Sequence, residues 1–451
     1  MLQWLLGLFK PAGASDKGQR ASSDPADAED SPPPFLRREA MLDRHRQTAA
    51  YLFSVETPAA LQAHDWQAAS RKFFDGVLID HFLAGRMAGL LGRRLAFLPL
   101  SAAGLTHPRL AQLPRDNLVI EFAPPAGARF DPETVPARLA ALREAGYQLA
   151  LGHELERQGL AGTLEKAGFI ILDRVSAMDP PDLLGRCHEL AARYPGARLV
   201  ARDIDSTELY QACENMGIHL FQGRFLFNRD TSPANRIAPY RMFVVELLNA
   251  IKRQADYGEL AGLAWRDPAL AYRLLRFVNS AAMGLREKID RLRDALAYVG
   301  RDELYRWLTL LLFNSRKPGP LDEALRENAL VRAKLAELLA QGRMTPKECD
   351  EAFVVGILSV IDALLEMPMA DALAQINLPE PVAEALLRGE GKYAPYLKLA
   401  LACEESDQAT LAELAAALGM DALMVNQRHI DALGWAMRFS ESLDTVMISD
   451  E

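Results

Sequence analysis

The 451-residue chain is poor in the side chains that carry most stand-alone chemistry. It has four cysteines, Cys187, Cys213, Cys349 and Cys403, scattered and with no CxxC pair. That excludes a disulfide scaffold and a thiolate zinc site, and leaves buried thiols in a reducing compartment. Histidine is scarce, with eight in all and none between His219 and His429. A surplus of positive charge is missing too. The formal net charge of −9 disfavours bulk nucleic-acid binding. No apolar run approaches the ~20 residues needed to span a bilayer. There is no Walker phosphate loop, no GxSxG and no HExxH. Cys187 and His188 are adjacent on a helix-like segment, so their side chains diverge.

What is present is ordinary globular material, half hydrophobic and a quarter charged, in a length that suits about two or three domains. MLQWLLGLFK (residues 1–10) places Gln3, Gly7 and Lys10 at helical spacing on an otherwise apolar segment. It lacks the basic leader and cleavage site of a signal peptide. Either it docks weakly in a partner groove or on a membrane surface, or it folds back on its own domain. Residues 11–34 are rich in Pro, Ala, Ser and Asp and read as a disordered linker.

From 35 to 230, strand-like and helix-like segments alternate. The strand candidates are TAAYLFSVE (48–56), LAFLPLS (95–101), LVIEFAP (118–124), QLALGH (148–153), FIILDRV (169–175), RLVARDID (198–205) and HLFQGRFL (219–226). Several are continuous apolar runs, as expected of strands covered on both faces. PETVPARLAALREAG (132–146) and STELYQACENMG (206–217) read as helices, with Asp131 and Ser206 as N-caps. Seven or more strands, with no GxGxxG after the first, favour a closed barrel over a doubly wound sheet. Beyond 230 the pattern turns all-helical, with Asp267, Asp322 and Asp421 at N-cap-like positions and Pro268 in the first helical slot.

DPALAYRLLRFVNSAAMG (267–284) resembles the core of HDOD domains, through Asp267, Pro268, Leu270, Leu274, Leu275, Asn279 and Ser280. AFVVGILSVIDALLEMPMADALAQINLPEPVAEALLRGEG (352–391) resembles the later part of that family. In the first half, MLDRHRQTAAYLFSVE resembles the opening strands of EAL domains, the barrels of bacterial cyclic di-GMP phosphodiesterases. FQGRFLFNRD resembles their closing signature, with Asp230 where proline is usual. The resemblance implies an α/β barrel (a modified TIM-like EAL barrel) at 35–230. An all-α HDOD helical domain at 231–440 and an acidic tail at 441–451 would follow.

An EAL phosphodiesterase needs oxygen ligands for two divalent cations, which generate the attacking hydroxide and neutralise the phosphodiester. By resemblance, the positions of the EAL site, the metal ligands and the catalytic lysine (at Ile171) among them, here read Leu52, Pro99, Glu121, Pro124, Gly152, His153, Ile171, Asp173, Arg202, Asp205 and Gln222. Only Glu121, Asp173, Asp205 and Gln222 keep an oxygen donor. His153 alone is a poor ligand for a hard cation. Arg202 repels a cation, and is either a phosphate contact or a surface or ion-paired arginine. The position matching the HD-type metal motif reads Gly356-Ile357-Leu358-Ser359-Val360. Asn279 and Ser280 suit hydrogen bonds to a helix end or the following loop, or a ligand.

These replacements imply a chain that is not an enzyme, a pseudo-phosphodiesterase with no metal and no cofactor. It would act as a scaffold or sensor through unidentified signalling proteins in a cyclic di-GMP-related network. The alternatives are a receptor that holds cyclic di-GMP at low affinity without cleaving it, and an active phosphodiesterase with an unorthodox site. The expected location is the cytoplasm, with residues 1–10 allowing a peripheral place at the inner membrane.

Overall fold

A computed structural model describes residues 35–55, 67–84, 91–124, 130–226, 239–279, 288–313, 322–404 and 408–448. The segments 1–10 and 11–34, Ser280, Asp230 and most of the 228–239 connector lie outside the described residues.

Eight strands close into a barrel in sequence order: β1 Leu36–Asp43, β2 Thr48–Val55, β3 Leu95–Leu100, β4 Leu118–Phe122, β5 Gln148–Gly152, β6 Phe169–Leu172, β7 Arg198–Ala201 and β8 Leu220–Phe221. β1 runs antiparallel to both its neighbours, and the other pairings are parallel. β1 precedes the first strand visible in the apolar pattern. Its sequence, LRREAMLD, is too polar to read as a buried strand.

Alternate residues fill the barrel, as a period of two requires. Met41, Ala50, Leu52, Phe97, Val119, Ala150, Phe169, Ile171, Val200 and Leu220 form a closed inner core. Phe97 and Phe169 meet edge to face with ring centroids 4.9 Å apart. Barrel-side helices are α1 Gln67–Ala84, α2 Thr134–Glu144, α3 Ala161–Leu164, α4 Pro180–Arg193 and α5 Thr207–Asn215. Ser206 caps α5 by accepting from the Leu209 N–H.

The second half is helical: α6 Pro239–Lys252, α7 Tyr257–Ala264, α8 Pro268–Val278, α9 Leu292–Val299, α10 Arg301–Leu312, α11 Asp322–Ala340, α12 Pro346–Leu358, α13 Ile361–Leu365, α14 Met369–Ala374, α15 Glu380–Leu387, α16 Ala394–Ala402, α17 Gln408–Ala417 and α18 Ala422–Ile448. The last helix continues past residue 440, where the tail was expected to begin. Asp267 caps α8 by accepting from Leu270 N–H at 3.2 Å. Asn279 ties the end of α8 to the chain ten residues on. Its amide donates to Leu275 and Ile289 carbonyls and accepts from Ile289 N–H. Gly356 lets α12 cross α11 closely, since a Cβ there would lie 2.5 Å from Ala333 Cα.

The barrel and the helices share one continuous apolar core. The β1–β2 hairpin has no helix of its own between its strands, so its outer face needs a cover. α11 and α18 supply it. Tyr51 Oη donates to Glu327 at 2.6 Å, and Arg94 pairs with Glu327 at 3.0 Å and with Glu323. Leu36 N–H donates to Asn426, and Phe35 stacks on His429 at 4.7 Å. Among the described residues no helix is long and apolar enough to cross a membrane.

Candidate functional site at the barrel mouth

The C-terminal ends of the parallel strands form one mouth, the end where this architecture gathers its chemistry. The antiparallel β1 brings its N-terminal half to the same end, because Glu39 pairs with Leu52 in register. Leu52 and Ile171 point into the barrel core and carry no donor. Pro99 pairs with Glu121 across β3–β4. Pro124 and Gly152 also carry no side-chain donor.

At the centre lies a buried ion pair that the sequence keeps 81 residues apart. Arg202 Nη1 and Nη2 donate to the two oxygens of Glu121 at 2.8 and 2.5 Å. Both side chains are nearly sealed from solvent, 9% and 4% exposed. Burial pulls the Arg202 pKa down, but Glu121 and Asp173 outweigh it and hold the guanidinium charged. Arg202 is therefore ion-paired.

Asp173 follows β6 with its carboxylate 3.8 Å from Arg202. Burial, with Glu121, Glu154 and Asp203 adding to it against Arg202, pushes its pKa up to about 6. A folded pKa above the ordinary value stabilises the fold at low pH, and this is lost as pH rises through about 6. Asp173→Asn should erase that dependence, so urea midpoints of variant and wild type should diverge more at pH 8 than at pH 5. A constant difference across pH would contradict the assignment.

Gln222 holds the seam between β8 and β1. Its amide donates to Glu39, and its carbonyl oxygen accepts from Asp203 N–H at 3.2 Å. Gly223 follows at φ +154, where a Cβ would sit 2.0 Å from the Ile204 carbonyl oxygen. The close approach explains the glycine of the closing signature. Gly223→Ala should cost roughly 3 kcal/mol, read by chemical denaturation, since backbone rather than a flexible side chain blocks it. A loss under about 1 kcal/mol would mean the loop relaxes freely.

His153 turns away from the centre. Its Nδ1 lies 3.2 Å from the Ile171 carbonyl and 3.4 Å from Glu154. Asp203 and Asp205 are exposed at the rim. Arg174 and Asp203, just past β6 and β7, both hold positive φ (54° and 60°), and Arg174 N–H donates to Asp203. Such strained backbone clusters at functional loops. Glu39 and Asp203 lie outside the motif positions. The signal that could find Glu39 is the polar pattern of LRREAMLD, legible only once β1 is known to line the mouth.

The two-cation centre implied by resemblance does not fit these residues. Both oxygens of Glu121 are taken by Arg202. Among the described residues no three His, Cys, Asp or Glu are grouped to hold a metal ion. At the HD-type position Ser359 donates to Gly356 O at 2.7 Å, at the break between α12 and α13.

A family model for the HDOD domain matches residues 239–378. The cyclic di-GMP phosphodiesterase CdgJ of Vibrio cholerae is 24% identical over 409 residues, covering 89% of this chain and 92% of that protein. YuxH of Bacillus subtilis is 25% identical over 412 residues, covering 89% and 97%. The solved FimX EAL domain of Xanthomonas citri, in complex with c-diGMP, is 16% identical. It covers 43% of this chain and 86% of that one, with a TM-score of 0.35.

The name of the Vibrio relative corrects the expectation that this chain is not an enzyme, since a protein matched along nearly its whole length is called a phosphodiesterase. The mouth also draws carboxylates from outside the motif positions, Glu39 on β1 and Asp203 after β7. With the closed barrel, the helical half and these matches together, the chain is a closed α/β barrel followed by a helical region that holds an HDOD domain at 239–378, and it is similar to EAL–HDOD proteins.

Proposed function

We propose that this chain is a cyclic di-GMP signalling protein that engages the dinucleotide at the mouth of its barrel. Its helical domain faces protein partners. The observation that carries the reading is the match to a protein named a cyclic di-GMP phosphodiesterase, which runs through both halves of the chain. The chemistry of the rim is compatible. Arginines suit a phosphodiester, and exposed carboxylates at Asp203 and Asp205 suit the N–H donors of a guanine base.

Equilibrium dialysis of the full chain with cyclic di-GMP, with and without Mg²⁺, tests the reading when the retained nucleotide is identified by chromatography. The expected result is retention of cyclic di-GMP or its linear product above a control protein. No retention and no product at high protein concentration would overturn it.

The partner-facing role rests on a separate observation. Met242, Trp265 and Tyr272 are 57%, 53% and 57% exposed, on α6, at the C-terminal end of α7 and on α8 of the HDOD segment. Large exposed apolar side chains at this density suit a docking face. Trp265→Ser with Tyr272→Ser should abolish a cross-linked adduct formed in cells while nucleotide retention stays unchanged. An adduct of equal yield would remove this role.

A further inference from the structure

A cavity of about 610 Å³ opens where the barrel mouth meets the helical domain. One wall is the mouth itself, with Glu39, Asp203 and Gln222. The other belongs to the helical half, with Asn328 and Arg332 of α11 and Ser359 after α12. The volume falls in the range of small-molecule sites, about 300–1,000 Å³.

Most charges lining this cleft are already paired. Arg332 is bidentate to Glu404 at 2.6 and 2.7 Å and donates to Ser359 at 3.2 Å. Glu39 accepts from Gln222 and lies 3.3 Å from Arg37. Arg38 differs. Its guanidinium sits 4.6 Å above the Tyr51 ring, and its Nε is buried without a hydrogen-bond partner. Among the described residues it has no carboxylate partner. Across the cleft, Asn328 donates one amide hydrogen to Ala324 O at 3.0 Å, which leaves its carbonyl oxygen as an acceptor.

An unpaired cation held on an aromatic face calls for an anion. An amide acceptor and rim carboxylates call for N–H donors. A purine nucleotide offers both, in its phosphate and its base edge, whereas inorganic phosphate offers only the first. We propose that the cleft is a two-domain nucleotide site, in which Arg38 binds the phosphate and Asn328 of the helical domain binds the base. The proposal deepens the cyclic di-GMP reading and rests on it for the choice of nucleotide. It makes the HDOD domain part of the binding site, so occupancy and domain coupling become one event.

The test is calorimetric titration of cyclic di-GMP, GMP and inorganic phosphate into the full chain and two variants. Arg38→Met keeps the stem over Tyr51, and Asn328→Ala removes one amide from the helical wall. Each should weaken cyclic di-GMP binding by about tenfold or more with an unchanged thermal midpoint. If cyclic di-GMP binds wild type and both variants alike, the cleft is not the site and the cyclic di-GMP reading survives. If GMP binds but cyclic di-GMP does not, and both variants abolish it, the cleft stands and that reading falls; if only inorganic phosphate binds, the base contact and the proposal fall. If none of the three binds, both fall. Should Arg38→Met fail to fold, Asn328→Ala decides alone.

Discussion

Glu121→Ala should destabilise the protein by about 3–5 kcal/mol at neutral pH, because it strands the Arg202 guanidinium inside the barrel. The size follows from geometry. Arg202 is 9% exposed, its Nε is already without a partner, and Asp173 at 3.8 Å is too distant to replace two short hydrogen bonds. The penalty belongs to the orphaned charge rather than to the bond. Replacing both partners together, Glu121→Leu with Arg202→Met, should therefore recover most of the loss. Urea denaturation of the two variants beside the wild type separates the cases. A single-variant cost below about 1 kcal/mol would mean that water reaches Arg202 and that the mouth is not sealed.

Acid should loosen the contact between the barrel and the last helix, with His429 as the responsible group. Its ring is 2% exposed, stacked on Phe35. Burial, with Arg38 nearby, pushes its pKa down from 6.5 to about 3. The unfolded chain therefore takes up a proton that the folded chain refuses. The stability His429 contributes is complete above pH 6.5 and is lost as pH falls towards 3, by about 1.4 kcal/mol per unit and about 4–5 kcal/mol in all. Asp173 works in the opposite sense between its ordinary value and about 6, so the net slope is shallower than His429 alone would give. His429→Phe keeps a ring on Phe35 and should flatten the acid limb of a stability–pH curve measured by urea midpoints. An unchanged slope would place the acid sensitivity elsewhere.

The parts legible in the sequence are those whose burial is uniform. β2 to β8 stand out because barrel contents lie inside them and helices outside, so both faces are apolar. β1 does not, because Arg37 and Glu39 face the mouth while Arg38 faces the helical domain. α11 misleads in the other direction. DEALRENALVRAKLAELLA has the charge pattern of a solvated helix, yet nearly all of it is buried. Its charges are matched by residues far away in the chain: Asp322 by Arg241, Glu323 by Arg94, Arg332 by Glu404 and Glu337 by Arg306. Pairing of that kind is a tertiary fact with no local signature.

The site divides similarly. Motif positions locate the mouth, and the structure brings Glu121, Asp173, Arg202 and Gln222 to it. That Arg202 closes on Glu121 could not be read from two residues in different strands. Nor could the role of Arg38 and Asn328, which meet one cleft only because α11 lies against the barrel. Donor counting at motif positions also led to an expectation of no enzyme that the Vibrio relative overturns.

The most direct measurement is hydrogen–deuterium exchange of the full chain with and without saturating cyclic di-GMP. Slower exchange is expected at the mouth, in residues 36–40 and 202–206, and in α11 across the cleft. Exchange unchanged throughout the barrel mouth at saturating nucleotide would contradict the proposed site.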